Sequence, residues 1–389
     1  MSPRAETPRD GRRPDGGHPP LPGDTIRGLR IDRSVSLRRQ PEVGHNRWHP
    51  DIPAALSIPP GETIELDTRD ALDGQVNPDT TATDLLDLDL GRLHPLTGPV
   101  EVKGALPGDL LVVTIHSVRP TPHGFTLHVP GFGFLRHRGF PPFLAHWDND
   151  NEFAVSEQLP GIRLSGRPFL GVMGVAPSRE LMTAATQRER TLKASGFDVD
   201  LPDPAGAVPA GRKVAQEGLR TAPPRENGGN LDIAQLTAGT RLELPVFVPG
   251  GRFSVGDGHF TQGDGEVCGT AIEVGTTSLL TFELRPGAAR KRGLERPHFT
   301  RPPTPPQGPS FVTTGLPLGP DGENHSEDLT MAARDAVEQM IDHLVAEYGY
   351  GTEQAYAICS VAVDLRVAQA VDLPNVLVTA HLPLDIFTS

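Results

Sequence analysis

Short stretches of alternating or continuous apolar residues run through most of the chain, and they predict β-strands. Glycine, proline or aspartate bounds each stretch, as is usual where strands end in turns. Residues 63–67 alternate with period two, whereas residues 110–115 form a mostly apolar run. The remaining strand signals lie at 99–103, 242–248, 269–274 and 278–284. Together they predict a mainly β body, folded as a β-sandwich or a barrel-like structure.

The pattern changes towards the C-terminus, where apolar residues recur at helical spacing. From 326 to 348 they lie mostly three or four positions apart, and Gly349 follows as a stop signal. A second helix is expected to begin at Glu353 with Thr352 as its cap. Residues 372–382 then return to strand-like alternation. The sequence therefore predicts a mainly β protein with a C-terminal α+β part.

Proline and glycine content divides the chain into four parts. Residues 1–24 hold six prolines and almost no apolar side chains, which predicts a disordered tail. Residues 25–284 form the predicted β-rich body. Residues 285–310 hold seven prolines, with six basic residues against one acidic residue, and predict a basic crossing segment or linker. Residues 311–389 form the predicted α+β part.

Charge and cysteine content exclude several classes of protein. The formal net charge is −13, and because an acidic body repels nucleic acid and anionic membranes, neither is an expected partner. No apolar run approaches the roughly 18 residues of a membrane span, and no signal peptide is recognised, so we expect a cytoplasmic protein. The two cysteines, Cys268 and Cys359, are expected to be reduced thiols.

One glycine-rich segment, residues 256–266, concentrates the candidate chemistry. It holds Asp257, His259, Asp264 and Glu266 between two predicted strands. In an extended segment, side chains two positions apart point to the same side, so Asp257 and His259 could reach one cation. Imidazole and carboxylate ligands suit zinc, and further carboxylates suit calcium or manganese. The alternative is a pair of acidic turns whose carboxylates accept hydrogen bonds from backbone N–H groups.

Six ordered motifs resemble those of the acetamidase/formamidase family. They are DALDGQ at 70–75, HPLTGP at 94–99 with GALPGDL at 104–110, GVMGVAP at 171–177, GGNLD at 228–232, LPV at 244–246 and GDGHFTQGDGE at 256–266. The resemblance covers nearly all of the chain except the N-terminal tail. It implies a mainly β fold with an α/β part, and hydrolysis of formamide or acetamide to the acid and ammonia. It also implies a divalent metal, zinc and/or calcium, and a homo-oligomer.

Amide hydrolysis needs an activated water, a polarised carbonyl and a proton for the leaving nitrogen, and these needs predict roles for the residues within the matching motifs. Glu266 is the predicted general base, which then acts as acid towards the leaving nitrogen, and Asn230 is the predicted hydrogen-bond donor to the substrate. A metal would activate water and polarise the amide oxygen. Spacing alone does not decide between Asp264 and Glu266 as the base. The predicted metal ligands are Asp257, His259, Asp264, Asp70 and Asp232.

Several alternatives stay open at this point. Cys268 could be a nucleophile, although the local alternation favours a buried thiol, and His45, His49 and His94 are weaker candidate ligands. The chain departs from the family pattern over residues 132–156 and at Leu106, where an acidic residue is usual. The substrate could instead be a carbamoyl or urea-like compound. A non-catalytic, calcium-stabilised binding module is the rival class, while the ENGGN sequence at 226–230 resembles the formamidase branch.

Overall fold

Strands dominate the computed structural model, which describes residues 26–303, 308–319 and 321–388. The predicted disordered tail, residues 1–24, lies outside the described residues. The strands are β1 (Gly28–Leu29), β2 (Gly44–His45), β3 (Leu56–Ile58), β4 (Thr63–Thr68), β5 (Leu96–Val102), β6 (Leu110–Pro120), β7 (His123–His128), β8 (Phe143–Asn149), β9 (Phe153–Val155), β10 (Leu164–Ser165), β11 (Phe169–Val175), β12 (Gly228–Asn230), β13 (Arg241–Pro245), β14 (Phe253–His259), β15 (Glu273–Val274), β16 (Thr276–Arg285), β17 (His298–Thr300), β18 (Ser310–Gly315), β19 (Asp364–Gln369) and β20 (Leu377–Pro383). The α-helices are α1 (Arg179–Ala194), α2 (Arg212–Glu217), α3 (Ala288–Arg292), α4 (Leu329–Tyr348) and α5 (Thr352–Ala362).

These strands form three sheets. The first has six strands in the order β1-β4-β16-β6-β13-β17, and its pairs are antiparallel except for β1 with β4. The second has eleven strands along the path β10-β9-β8-β7-β15-β14-β11-β12, with β5 beside β14, and with β2 and β3 beside β5. The third is the C-terminal sheet β18-β20-β19. No helix in the described part of the chain is long and apolar enough to cross a membrane.

The two large sheets pack against each other across the main core. In β6, Leu111 and Val113 pack in the same buried cluster as Met173 and Val255 of the second sheet. Leu110 and Val112, on the opposite face of β6, pack in a separate cluster with Ala289 of α3. Both faces of β6 are therefore covered, which explains why its sequence is a continuous apolar run rather than an alternating one. The predicted mainly β fold is confirmed.

The C-terminal part packs on the second sheet. Helix α4 begins after Asp328, whose side chain accepts the N–H of Met331, and ends at Gly349 in the left-handed conformation, with φ 73°. Helices α4 and α5 share one apolar core with strand β20 and with Trp147 and Phe260 of the body. The predicted α+β part is thus present, and it is joined to the body by a continuous core.

Two segments differ from the sequence-based expectation. The crossing segment contains the short helix α3, whose buried Ala289 packs with Leu110 and Val112 of β6. It also contains the strand β17, which extends the first sheet as an edge strand. Residues 304–307 lie outside the described residues. The strand expected at 269–274 is reduced to β15. Gly269 has φ 99°, and the N–H of Cys268 is donated to the Ser360 hydroxyl instead of to a neighbouring strand.

Gly315 marks a close approach of β18 to α4 and gives a test of this packing. A Cβ atom at Gly315 would lie 1.9 Å from the carbonyl oxygen of Ala332 and 2.4 Å from the nitrogen of Ala336. Because both are backbone atoms, they cannot rotate away, and we expect Gly315→Ala to cost about 1–3 kcal/mol. The measurement is the midpoint of urea denaturation. Gly351→Ala is the control, since its Cβ would meet nothing closer than 3.5 Å. Equal midpoints for the two variants would contradict the close packing.

Candidate active site

The closed side of the candidate site lies at the end of β14, where Asp257 and His259 are neighbours. His259 Nε2 lies 3.4 Å from Asp257 Oδ1 and 3.2 Å from Glu273 Oε2. Strand β15 supplies Glu273 directly opposite His259, because these two residues are partners in the antiparallel pairing of β14 with β15. All three side chains are buried. Strand pairing therefore fixes an acid–imidazole–acid group inside the body.

The open side of the site is formed by two carboxyl groups from other segments. Asp232 lies just after β12, and Glu266 lies in the turn between β14 and β15. Donor atoms of Asp232, His259 and Glu266 lie within 4.8 Å of one another, and so do those of Asp257, His259 and Glu273. Asp232 and Glu266 are half-buried, so a small molecule would reach the cluster from their side.

Three of the four acidic residues have left-handed backbone conformations. The φ angles are 45° at Asp232, 56° at Asp257 and 44° at Glu266. This region is uncommon for residues with a side chain and persists only where the surrounding structure enforces it. The fold thus holds these carboxyl groups against the local preference of the backbone, as is frequent at functional sites.

A missing side chain on β11 leaves room at the centre of the cluster. A Cβ atom on Gly171 would lie 2.5 Å from Asp232 Oδ1, 2.7 Å from Asp257 Oδ2 and 2.9 Å from His259 Cε1. Any other residue would therefore press against the carboxyl oxygens. Gly171 belongs to the GVMGVAP motif, and its role here is to keep the space between the two aspartates open.

Burial and mutual charge shift the ionisation of the closed side. Burial raises the pKa of Asp257, but the positive charges of His259 and His94 outweigh it, so the net pKa is lower than usual. Burial lowers the pKa of His259, whereas Glu273 and Asp257 raise it well above its usual value. Burial and the charge of Asp257 raise the pKa of Glu273 to about 8, against the opposing charge of His259.

The two carboxyl groups of the open side also resist ionisation. Burial, together with the charge of Asp257, raises the pKa of Asp232 to about 7, while His259 and hydrogen bonds from Glu266 and Asn230 oppose this shift. Burial and the charge of Asp232 raise the pKa of Glu266 well above its usual value. Two adjacent carboxyl groups that cannot both ionise readily are suited to sharing and transferring a proton.

Several polar atoms of the site are buried without a hydrogen-bond partner among the described residues. Such atoms are rare in folded proteins, and a cluster of them offers partners to water, an ion or a ligand. The contacts of His259 with the two carboxylates have ion-pair distances but lack hydrogen-bond geometry. The atoms are both ring nitrogens of His259, Asp257 Oδ1, Asp232 Oδ1, Glu273 Oε2, Asn230 Oδ1 and His94 Nδ1.

Two of the predicted ligands lie outside this cluster. The Asp264 carboxylate accepts a hydrogen bond of 2.5 Å from Gln235 Nε2, and the backbone N–H of Asp264 is donated to the Asp364 carboxylate of the C-terminal part. The Asp70 carboxylate accepts the N–H groups of Leu72 at 2.9 Å and Gly74 at 3.1 Å, and so caps its own turn. The predicted residues that the structure brings together are Asp232, Asp257, His259 and Glu266, with Asn230 half-buried at the end of β12 beside them.

The three weaker histidine candidates have different surroundings. His45 Nε2 is bonded to Ser254 Oγ at 2.7 Å, and His49 Nε2 lies 3.6 Å from Glu217 on another face of the body. Only His94 is close enough for Asp257 and His259 to influence it; burial lowers the pKa of its ring, and Asp257 opposes that shift. His94 is therefore the one of the three that borders the cluster.

Cys268 has the environment of a structural thiol. It is fully buried, its Sγ lies 3.4 Å from the carbonyl oxygen of Leu127, and burial raises its pKa to about 11. A nucleophilic cysteine needs a lowered pKa and access to the substrate, and Cys268 has neither. Cys359 is also free and buried. Leu106 is exposed in the turn between β5 and β6, apart from the clustered residues.

Sequence reasoning missed Glu273 and the steric role of Gly171. A signal for Glu273 exists, because it is the one charged residue within the apolar stretch 271–274. A charge in such a position is rarely buried without a partner. The partner, His259, becomes visible only with the pairing of β14 and β15. Gly171 gave no separate signal within a motif that contains two glycines.

Comparison with known proteins identifies the family to which this chain belongs. The family model described as "Acetamidase/Formamidase family" matches residues 30–389. An acetamidase of Mycolicibacterium smegmatis is 38% identical over 84% of this chain and 87% of that protein. A formamidase of Methylophilus methylotrophus is 35% identical over 88% of this chain and 89% of that protein. Among solved structures, a gamma lactamase from Delftia acidovorans superposes with a TM-score of 0.89 at 35% identity, covering 94% of each chain. The chain therefore belongs to the acetamidase/formamidase family, as its motifs predicted.

Proposed function

We propose that this protein hydrolyses short aliphatic amides, formamide or acetamide, to the carboxylate and ammonia. The observation that carries this proposal is the half-open cluster of four carboxyl groups around His259, with polar atoms left unpartnered inside it. The names of the similar acetamidase and formamidase support it. Family membership also favours an enzyme over a non-catalytic binding module.

The donor atoms of the closed side fit a divalent cation. Asp257, His259 and Glu273 offer two carboxylates and one imidazole, which is a donor set that zinc accepts, and Asp232 could add an oxygen. Calcium would need more oxygen ligands. Asp264 and Asp70 are not included, because their carboxylates are used in other hydrogen bonds. When bound, such a cation supplies Lewis-acid polarisation of the amide oxygen and a water of lowered pKa.

The open side supplies the proton transfers in this proposal. Glu266 removes a proton from water as the oxygen adds to the amide carbon, and it returns that proton to the nitrogen as the C–N bond breaks. Asp232 accepts the hydrogen bond of Glu266, so it can take over that proton and leave Glu266 ionised as the base. Asn230 donates a hydrogen bond to the negative oxygen that develops on the carbonyl. The C–N bond breaks to give the carboxylic acid and ammonia, and proton transfer between these two yields the carboxylate and ammonium.

A cyclic amide is a second candidate substrate, since the similar solved structure is that of a gamma lactamase.

The test of the proposed function is a substrate screen with purified protein. It measures ammonia from formamide, acetamide, urea and a carbamate, and the ring-opened amino acid from a γ-lactam, each before and after a chelator. We expect ammonia from at least one short amide, its loss with the chelator and its recovery with zinc. Bound calcium without turnover of any substrate would support the binding module instead.

Replacing Glu266 tests the assignment of the general base. Because general acid–base catalysis contributes about 10²–10⁴-fold, Glu266→Gln should lower kcat for formamide by that factor. Metal content and the far-ultraviolet spectrum should stay unchanged. The matched control is Glu283→Gln, on the outer ion pair of Glu283 with Arg241, which should retain full kcat.

The competing assignment makes Asp264 the base. In that case Asp264→Asn would cause the larger loss and Glu266→Gln would be nearly silent. That result would contradict the proposed role of Glu266 without affecting the proposed substrate.

Filling the space at Gly171 tests the proposed cation site. The methyl group of Gly171→Ala would press on Asp232 and Asp257 within 2.7 Å, so the carboxylates must move apart. We expect zinc affinity to fall at least tenfold, as is typical when groups that orient metal ligands are disturbed, measured by competition with a chromogenic chelator. Gly211→Ala is the control, because no atom lies within 4 Å of its Cβ position. Unchanged affinity in Gly171→Ala would place the cation elsewhere.

A further inference from the structure

We propose that Ser360, on helix α5 of the C-terminal part, is a positioning residue for Glu266. The proposal rests on the base role of Glu266 given above. Ser360 lies outside the carboxyl cluster and touches none of its side chains in the described contacts. Its side chain and backbone instead hold the turn that carries Glu266.

Ser360 contacts this turn on both sides of Glu266. Its carbonyl oxygen accepts the N–H of Gly263 at 2.9 Å, which lies before Glu266. Its hydroxyl accepts the N–H of Cys268 at 3.1 Å and donates to the carbonyl oxygen of Thr270 at 2.7 Å, both after Glu266. Ser360 is fully buried, so water cannot replace these bonds without rearrangement. One serine therefore fixes both ends of the turn.

Neighbouring residues of the C-terminal part reinforce the same turn. The Tyr356 hydroxyl donates to the carbonyl oxygen of Val267 and accepts the N–H of Leu135 at 2.8 Å. Asp364 accepts the N–H of Asp264 at 3.1 Å. The backbone that carries Glu266 is thus anchored by α5 and the start of β19, and not only by the strands of the body.

The turn needs such anchoring because its own conformation is unfavourable. Glu266 has φ 44°. Within the turn, its N–H is donated to the carbonyl oxygen of Gly263 at 3.1 Å, and its carbonyl oxygen accepts the N–H of Gly269 at 2.8 Å. Without external restraint, the backbone at Glu266 would relax towards ordinary values of φ. A displacement of about 1 Å at a catalytic group can cost on the order of 10²-fold in rate. The anchors on α5 therefore connect the folding of the C-terminal part to catalysis in the body.

The first experiment compares Ser360→Ala with Ser278→Ala. Ser278 is also fully buried, and its hydroxyl donates one hydrogen bond, of 3.2 Å, to Leu66 between β16 and β4. For formamide, we expect Ser360→Ala to lower kcat by about 10- to 100-fold with KM changed less than about twofold. Metal content should stay unchanged. Ser278→Ala should retain kcat. Equal kcat values for the two variants would overturn the proposal.

A double-mutant cycle separates positioning from general damage. If Ser360 acts through Glu266, then Ser360→Ala should cause no further loss of kcat in a Glu266→Gln background. Independent, multiplied losses would show that Ser360 acts by another route. If Ser360→Ala does not fold, Tyr356→Phe replaces it in the cycle, because it removes the hydroxyl contacts to Val267 and Leu135 but keeps the ring. Tyr356→Phe with unchanged kcat would then overturn the proposal.

Hydrogen exchange gives a readout that does not depend on activity. In Ser360→Ala, amides of residues 263–270 should exchange at least tenfold faster while the strands of the first sheet keep their protection. Unchanged exchange in this segment would overturn the positioning role even if the enzyme is an amidase. Absence of turnover with every amide would overturn the proposed function alone.

Discussion

Four carboxyl groups converge on one buried imidazole, and electrostatics makes this arrangement unfavourable unless protons or a cation neutralise it. Pairing of β14 with β15 sets Glu273 opposite His259, and Asp257 lies two residues before that histidine. Asp232 and Glu266 complete the group from turns with left-handed backbone. The raised pKa values of Asp232, Glu266 and Glu273 express this cost directly. A divalent cation bound among these carboxyl groups would offset this electrostatic cost, and it would also create a hydrolytic centre.

The surrounding architecture is organised around holding this group. The first sheet packs on the second through an apolar core and so fixes the strands that carry the closed side. The C-terminal part packs on the other end of the second sheet, where α5 reaches the turn of Glu266. The site thus lies where the body and the C-terminal part meet, with its rigid residues on strands and its half-buried residues on turns. Such a division suits a fixed cation site beside a group that transfers protons.

Much of this could be predicted from local pattern. The alternation of apolar residues predicted β4 nearly to its ends. Helical spacing, with Gly349 as the stop signal, predicted α4. Asp257 and His259 are neighbours, as their two-residue spacing predicted, although Asp257 has a left-handed backbone and not the extended one expected. Contacts between residues far apart in sequence could not be predicted in this way, because Glu273 meets His259 only through the pairing of β14 with β15. Local pattern also could not show which of Asp264 and Glu266 joins the cluster, because their turn is hydrogen-bonded by α5 and β19 from about a hundred residues away in the sequence.

The most direct test follows the stability of the chelator-treated protein from pH 5 to pH 8, with and without zinc. Asp232 and Glu273 have folded pKa values of about 7 and 8, above their unfolded values of roughly 4. Their contribution to stability is therefore complete at low pH and is lost as the pH rises through the folded values. The melting temperature without zinc should fall over this range, and zinc should restore it most at pH 8. A melting temperature that stays constant or rises without zinc, and that zinc leaves unchanged, would contradict a buried carboxyl cluster built for a cation.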